Sequence, residues 1–260
     1  MLLTGDAALR SLLNDLQAIR FEREEKTSEL EVLLDYLELV AVAAGEKPSH
    51  LQGQGMRSRS FIRAIAGVAA AHGLHLLYTH PVPTHYHRAP NYDPGFFEWE
   101  RQRERESVAK ESQVLWVCRD RDLDGAIRAA ADGETDVAEV LGYPACCVRE
   151  NSELGIRFSE ARVRGYETQY GATDTADLIR LAKENARVTI PPADVPRFRR
   201  VFPYVQFSPC RECAESSSSP AAEINWAQKR LATRLSPALQ RAIERAANTK
   251  ATARREKKGR

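Results

Sequence analysis

Four of the five cysteines in this chain fall into two tight pairs, and thiols grouped this way point to metal or redox chemistry. The first pair is adjacent, in Gly142-Tyr143-Pro144-Ala145-Cys146-Cys147-Val148. The second is a C-x-x-C, in Ser208-Pro209-Cys210-Arg211-Glu212-Cys213. They lie far apart in the chain, so only folding can bring them together. A proline turn precedes each pair and can aim successive side chains at one spot. Adjacent cysteines in a strand point to opposite faces, so both reach one centre only from a turn or a helix start. Pro144 suits a helix start, where free N–H groups and the helix dipole favour thiolate. Four thiolates from two such turns could enclose one zinc ion or one iron–sulfur cluster. If Cys146 or Cys147 is instead a buried small hydrophobe, three ligands remain. Zinc then keeps a position for water, and a four-iron cluster keeps one iron open for substrate. A thiol–disulfide pair is the other chemistry the same residues allow.

Histidines form the second candidate group. His80, His85 and His87 sit in a proline-rich loop with Tyr86, Tyr92 and Asp93. Histidines two apart on an extended segment share a face and can chelate one ion, or one of them completes a three-cysteine site. The plainer reading is a polar surface loop. The segment Phe198-Arg-Arg-Val-Phe202-Pro-Tyr204 could stack nucleobases, though such clusters are more often core with solvated arginines. The chain has no G-x-G-x-x-G, Walker loop, G-x-S-x-G or H-E-x-x-H, so nucleotide binding, serine hydrolysis and zincin chemistry lack direct support.

With 260 residues and 43% hydrophobic content, the chain can bury a core without help from metal. A metal would therefore be functional or a local staple. The net charge of +2 implies no general attraction to polyanions. The basic end from Lys250 to Arg260 is the exception. It is read as a disordered, solvated tail that could still touch nucleic acid or an acidic membrane. The first residues lack a positive segment followed by a long apolar one. The most apolar run, Leu37 to Ala44, is short and contains Glu38. These features predict a cytoplasmic protein with no membrane association, and paired cysteines in a reducing compartment favour metal over structural disulfides.

Apolar periodicity predicts helix over residues 6–45, with a polar break at 21–26, and again over 57–71. Asp6 and either Thr27 or Ser28 are the candidate caps. Glu46 to Gly55 reads as loop. His75–Thr79 and Gln113–Cys118 read as strands, with helices at 96–110, 123–131 and 135–141. Thr173 to Arg187 reads as helix and Val188–Ile190 as a brief strand. A long helix from Ala221 to Ala247 is interrupted at Ser236-Pro237. Cys118 reads as core. The predicted fold is α/β or α+β: a small mixed sheet flanked by helices, a helical N-terminal region (1–73), a cysteine-containing domain (74–247) and the basic tail (248–260).

The two cysteine segments, with the strand at Val114–Cys118 and the helix after it, resemble the family known as domain of unknown function 483. That family pairs a Gly-Tyr-Pro-x-Cys-Cys-Val element with a later Pro-Cys-x-x-x-Cys or similar element followed by serine. Here the second element has two residues between its cysteines. The resemblance covers roughly residues 110–217 and implies a shared cysteine site without adding a reaction. The sequence therefore predicts a metalloprotein with Cys146, Cys147, Cys210 and Cys213 as ligands. Its centre would act as Lewis acid or redox centre on a small-molecule substrate. The alternative is a nucleic-acid-associated protein with a structural zinc knuckle.

Overall fold

Helices dominate the chain, and in those at Asp6–Gln17, Glu29–Ala44, Arg59–Ala71, Pro220–Leu235 and Pro237–Lys258 apolar residues recur at helical spacing. The structure is a computed structural model that describes residues 5–19, 28–52, 59–80, 93–109, 114–196 and 201–258. Helix α1 (Asp6–Gln17) buries Leu9, Leu12, Leu13 and Leu16; Gly5 is its N-cap and Asp6 opens its first turn. Helix α2 (Glu29–Ala44) begins with a capping box between Ser28 and Glu31 and ends at Gly45 in the left-handed conformation. Nearly all of α2 is buried, including Asp35 and Glu38. The chain continues through β1 (Ser49–Gln52), α3 (Arg59–Ala71), β2 (His75–Thr79), α4 (Pro94–Ala109) and β3 (Val114–Cys118). A 3₁₀ turn (Arg121–Leu123) leads to α5 (Asp124–Asp132) and α6 (Val137–Val140). Then follow α7 (Ala145–Tyr170), α8 (Thr175–Lys183), α9 (Arg211–Glu215), α10 (Pro220–Leu235) and α11 (Pro237–Lys258).

The architecture is α+β. Among the described residues, three strands form one sheet in the order β1-β3-β2, and both pairings are antiparallel rather than mixed. The reason is β1, which pairs Ser49 with Cys118 and Gln52 with Leu115 from a segment that reads as loop. Its residues Ser49, His50 and Gln52 are polar yet buried, because each finds a partner inside. Ser49 Oγ donates to the Val140 carbonyl, His50 Nδ1 bonds Glu38, and the Gln52 amide bonds His50 Nε2. Central β3 is buried at every position.

One face of the sheet joins α1, α2, α3, α10 and α11 in the largest apolar cluster, which holds Leu34, Ile65, Leu115, Val117, Leu231 and Ile243. The other face, with Trp116 and Cys118, is covered by α5 through Ile127 and Ala130. From the N-terminal region, β1 thus belongs to the sheet and α2 shares its apolar core with α10 and α11. Val188–Ile190 forms no strand: Gln169 of α7 bonds both the N–H and the carbonyl of Thr189, taking the place of a strand partner. Helix α11 continues to Lys258, into the residues that read as a tail. No helix among the described residues is long and apolar enough to cross a membrane.

Candidate metal centre

The turn before the first cysteine pair is set by Gly142. It adopts a left-handed φ of 73°, and a Cβ there would lie 2.7 Å from Pro48 Cδ. A side chain at this position would therefore be strained and would collide with Pro48. Pro144 then serves as N-cap of α7, its carbonyl accepting from the N–H groups of Cys147 and Val148. Cys146 and Cys147 thus stand in the first turn of a 26-residue helix, where consecutive side chains are about 100° apart rather than on opposite faces. The second pair is arranged differently. Cys210 is itself the N-cap of α9, its Sγ accepting from the Cys213 N–H at 3.4 Å. Cys213 follows in the first turn of α9.

Folding brings all four sulfurs together. Sγ atoms of Cys146, Cys147, Cys210 and Cys213 lie within 4.8 Å of one another. The Cys146 and Cys213 sulfurs are 3.5 Å apart, and the Cys210 N–H donates to Cys147 Sγ at 3.3 Å. Three of the four are buried and Cys146 is part-exposed. Val205, Phe207 and Ala221 wrap the cluster. Around it, Asn151 Nδ2 donates to the carbonyls of both Cys147 and Ser208 at 2.8 Å, tying α7 to the second cysteine segment. Glu150 accepts from the Arg211 N–H with both oxygens, and Ser219 Oγ donates to the Cys213 carbonyl.

The thiols are not equivalent. Burial, the strongest influence on Cys213, raises its thiol, but the Ala221 N–H and the neighbouring cysteines outweigh it and bring Cys213 below the ordinary value. Burial and the other sulfurs push Cys146 and Cys147 upward. Cys213 therefore gives up its proton more readily than Cys146 or Cys147. A cation at the centre would let all four ionise, because a coordinating thiol is deprotonated outright. The Ala221 N–H belongs to the first turn of α10. Backbone N–H groups of Cys210, Cys213 and Ala221, at the starts of α9 and α10, are thus directed at the sulfurs.

Two cavities flank the ring pair Tyr143–Phe207, whose centroids are 4.6 Å apart. The larger, about 270 Å³, touches Cys147 and is also lined by Asp136, Asn151 and Ser152. The smaller, about 70 Å³, is lined by Glu38, Lys47 and Gln228. Burial, with Glu38 and Asp35 behind it, holds the Tyr143 hydroxyl well above its ordinary value, so it stays protonated.

The histidines are not part of this centre as described. His80 is exposed at the end of β2, and His85, His87, Tyr86 and Tyr92 lie outside the described residues. Asp93 caps α4, accepting from the Phe96 N–H and the Thr175 hydroxyl. In the aromatic segment, Phe202 leans on the cysteine cluster. Tyr204 is fully buried and its hydroxyl donates to Glu244, so it presents no ring for stacking. Phe198 lies outside the described residues.

Residue spacing gave no notice of a second buried polar group. Glu38 takes the Lys47 ammonium and the His50 imidazole on one oxygen. Asp35 accepts from Gln206. The one available signal was Glu38 itself, a charge inside an apolar run that is buried on all sides and must therefore be paired. Compared with models of protein families, with curated proteins and with solved structures, the chain finds no match.

Proposed function

We propose that this is a metalloprotein in which Cys146, Cys147, Cys210 and Cys213 hold a single zinc-class ion as a tetrathiolate centre. The observation that carries this reading is the mutual approach of all four sulfurs within 4.8 Å. Bonds of about 2.3 Å to one tetrahedral ion place sulfurs about 3.8 Å apart. Thiolates around an iron–sulfur cluster must stand farther apart, since each binds a different iron at the cluster's periphery. The spacing therefore favours one ion, and the N–H groups of Cys210, Cys213 and Ala221 offset part of the negative charge of four thiolates.

Four protein ligands close the coordination shell, so the ion works first as a clamp. It fastens α7 to α9 and fixes Cys147 and Phe207, two walls of the larger cavity. That cavity is the place for a small-molecule substrate. Its polar lining of Asp136, Asn151 and Ser152 would orient the molecule beside the centre. Membership of the domain of unknown function 483 family is likewise our proposal, resting on the motif around Cys146 and Cys147.

Metal analysis after anaerobic purification tests the reading. We expect a colourless protein that retains zinc, and a Cys210→Ser variant that loses one ion per chain while remaining folded. A brown protein containing iron and acid-labile sulfide would replace the single ion with a cluster. Metal content unchanged in Cys210→Ser would remove the site altogether.

A further inference from the structure

His75, Cys118 and Asp124 share no residue with the four-cysteine centre. They are the first residue of β2, the last of β3 and the first of α5. One ligand atom from each lies within 4.8 Å of the other two. The fold fixes this meeting at three points. His75 and Cys118 stand directly opposite each other in the β2–β3 ladder, so their side chains leave the sheet on one side. On that side α5 begins, laying Ile127 and Ala130 over Trp116 and Cys118, and its first turn delivers Asp124. The Asp124 carboxylate meets His75 Nε2 at 2.8 Å.

The group has a sealed end and an open one. Cys118 is fully buried, and its contact with the His75 carbonyl oxygen is long, at 3.9 Å. The side chains of His75 and Asp124 remain 19% and 31% exposed. Thiolate, imidazole and carboxylate are the three ligand types of zinc, and three protein ligands leave a fourth position for water. A thiolate in the set argues against magnesium or calcium, which take oxygen ligands. We propose that His75, Cys118 and Asp124 form a second metal site for one zinc-class divalent ion, with its fourth position facing solvent. On binding, the Cys118 proton leaves to solvent and the ion replaces the hydrogen bond between His75 and Asp124. Bonds of about 2.0–2.2 Å require those two atoms to part to roughly 3.4 Å. The part-exposed Asp124 carboxylate can swing that far. No oxidant or other reactant is needed.

Cobalt(II) is the probe, because a thiolate ligand gives it a charge-transfer band in the near ultraviolet. The reduced, metal-free full chain carrying Cys146→Ser, Cys147→Ser, Cys210→Ser and Cys213→Ser keeps Cys118 as its one thiol and isolates the second site from the first. It should bind one cobalt with a band of single-thiolate intensity. Adding Cys118→Ser, which is nearly isosteric, should abolish the band. His75→Ala, at the part-exposed side, should weaken cobalt binding at least tenfold, with circular dichroism verifying the fold of both variants. No thiolate band up to millimolar cobalt would overturn the site, as would a band that survives Cys118→Ser. If the unsubstituted chain binds no metal at the four cysteines while the Cys118 band persists, the proposed tetrathiolate function fails and this site stands.

Discussion

Two buried polar groups lie on either side of Tyr143, and they meet the cost of burial in opposite ways. Around Glu38 the chain supplies both signs of charge. Lys47 and His50 converge on one carboxylate oxygen, and Gln52 bonds the far side of the imidazole. At the four cysteines the chain supplies one kind of group only. Sulfurs face sulfurs, and the groups described on them are backbone N–H groups and apolar side chains. The first group is complete as folded. The second is complete only as neutral thiols or with a cation from outside. A buried charge must be paired or bind metal: Glu38 is paired from within the chain, and the four cysteines are grouped so that they could hold a metal.

Removing the internal cation is the severest way to break the complete group. Lys47→Met leaves Glu38 buried with one charged partner fewer. Such a loss typically costs about 3–5 kcal/mol. Chemical denaturation should show a drop of that order, with metal content unchanged. A drop below about 1 kcal/mol would mean that water reaches Glu38 and that the group is not closed.

Acid probes the same group more gently. Burial raises the Glu38 carboxyl, but the Lys47 charge and the His50 hydrogen bond outweigh it and hold the group at about 2, against 4.5 when free. A depressed carboxyl contributes its stability above the unfolded value and loses it as pH falls toward the folded one. The contribution should therefore be whole above pH 4.5 and fade between 4.5 and about 2. Its full size is on the order of 3 kcal/mol. Glu38→Gln should flatten that part of the stability-against-pH curve. An unchanged acid limb in the variant would assign the acid sensitivity to other carboxylates.

Stripping metal from the cysteines should cost less. An ion present at a hundredfold its dissociation constant stabilises the fold by about 2.7 kcal/mol. Chelation should lower the thermal midpoint by an amount in keeping with this, while helical circular dichroism persists, because Phe207, Val205 and Ala221 still surround the sulfurs. Complete unfolding on chelation would make the ion the foundation of the domain rather than a clamp. The larger cavity, walled in part by Cys147, should then be probed in the stripped protein by the fluorescence of a small apolar dye.

How much of this was legible in sequence follows from the kind of signal each residue leaves. Cysteine is rare, and pairs placed after proline turns advertise a shared site, so the four sulfurs were readable before their meeting was. Helices α1, α2, α10 and α11 were readable because Leu9, Leu12, Leu13 and Leu16, and their counterparts later in the chain, mark a buried stripe. Helix α7 was not, beyond its first turn. Its buried face consists largely of small or polar residues, among them Ser159, Ala161 and Gly165, so no stripe appears. Strand β1 was hidden for a related reason: Ser49, His50 and Gln52 are polar and buried through long-range partners. The grouping of His75, Cys118 and Asp124 depends on strand register, which a single strand's pattern does not contain.

The smallest effect on either buried group should come from the basic end of α11, yet it separates two functions. Residues 248–260 hold Lys250, Arg254, Arg255, Lys257, Lys258 and Arg260 against Glu256, so the rest of the chain carries −3 of the overall +2. Helix α11 extends to Lys258, and the cations recur in it at spacings of three and four. The partners described for the cysteines and Glu38 lie elsewhere in the chain. Deleting it should leave zinc content and the acid limb unchanged and shift the thermal midpoint little. Nucleic-acid binding is where deletion could register. Each lost phosphate contact lowers the slope of log affinity against log salt by about 0.9 on duplex DNA. If the full chain binds duplex or single strands at low salt and the deletion removes that affinity with a matching fall in slope, the metal clamp belongs to a nucleic-acid-binding protein. If the full chain shows no affinity even at low salt, the cavity beside Cys147 remains the place to seek a ligand.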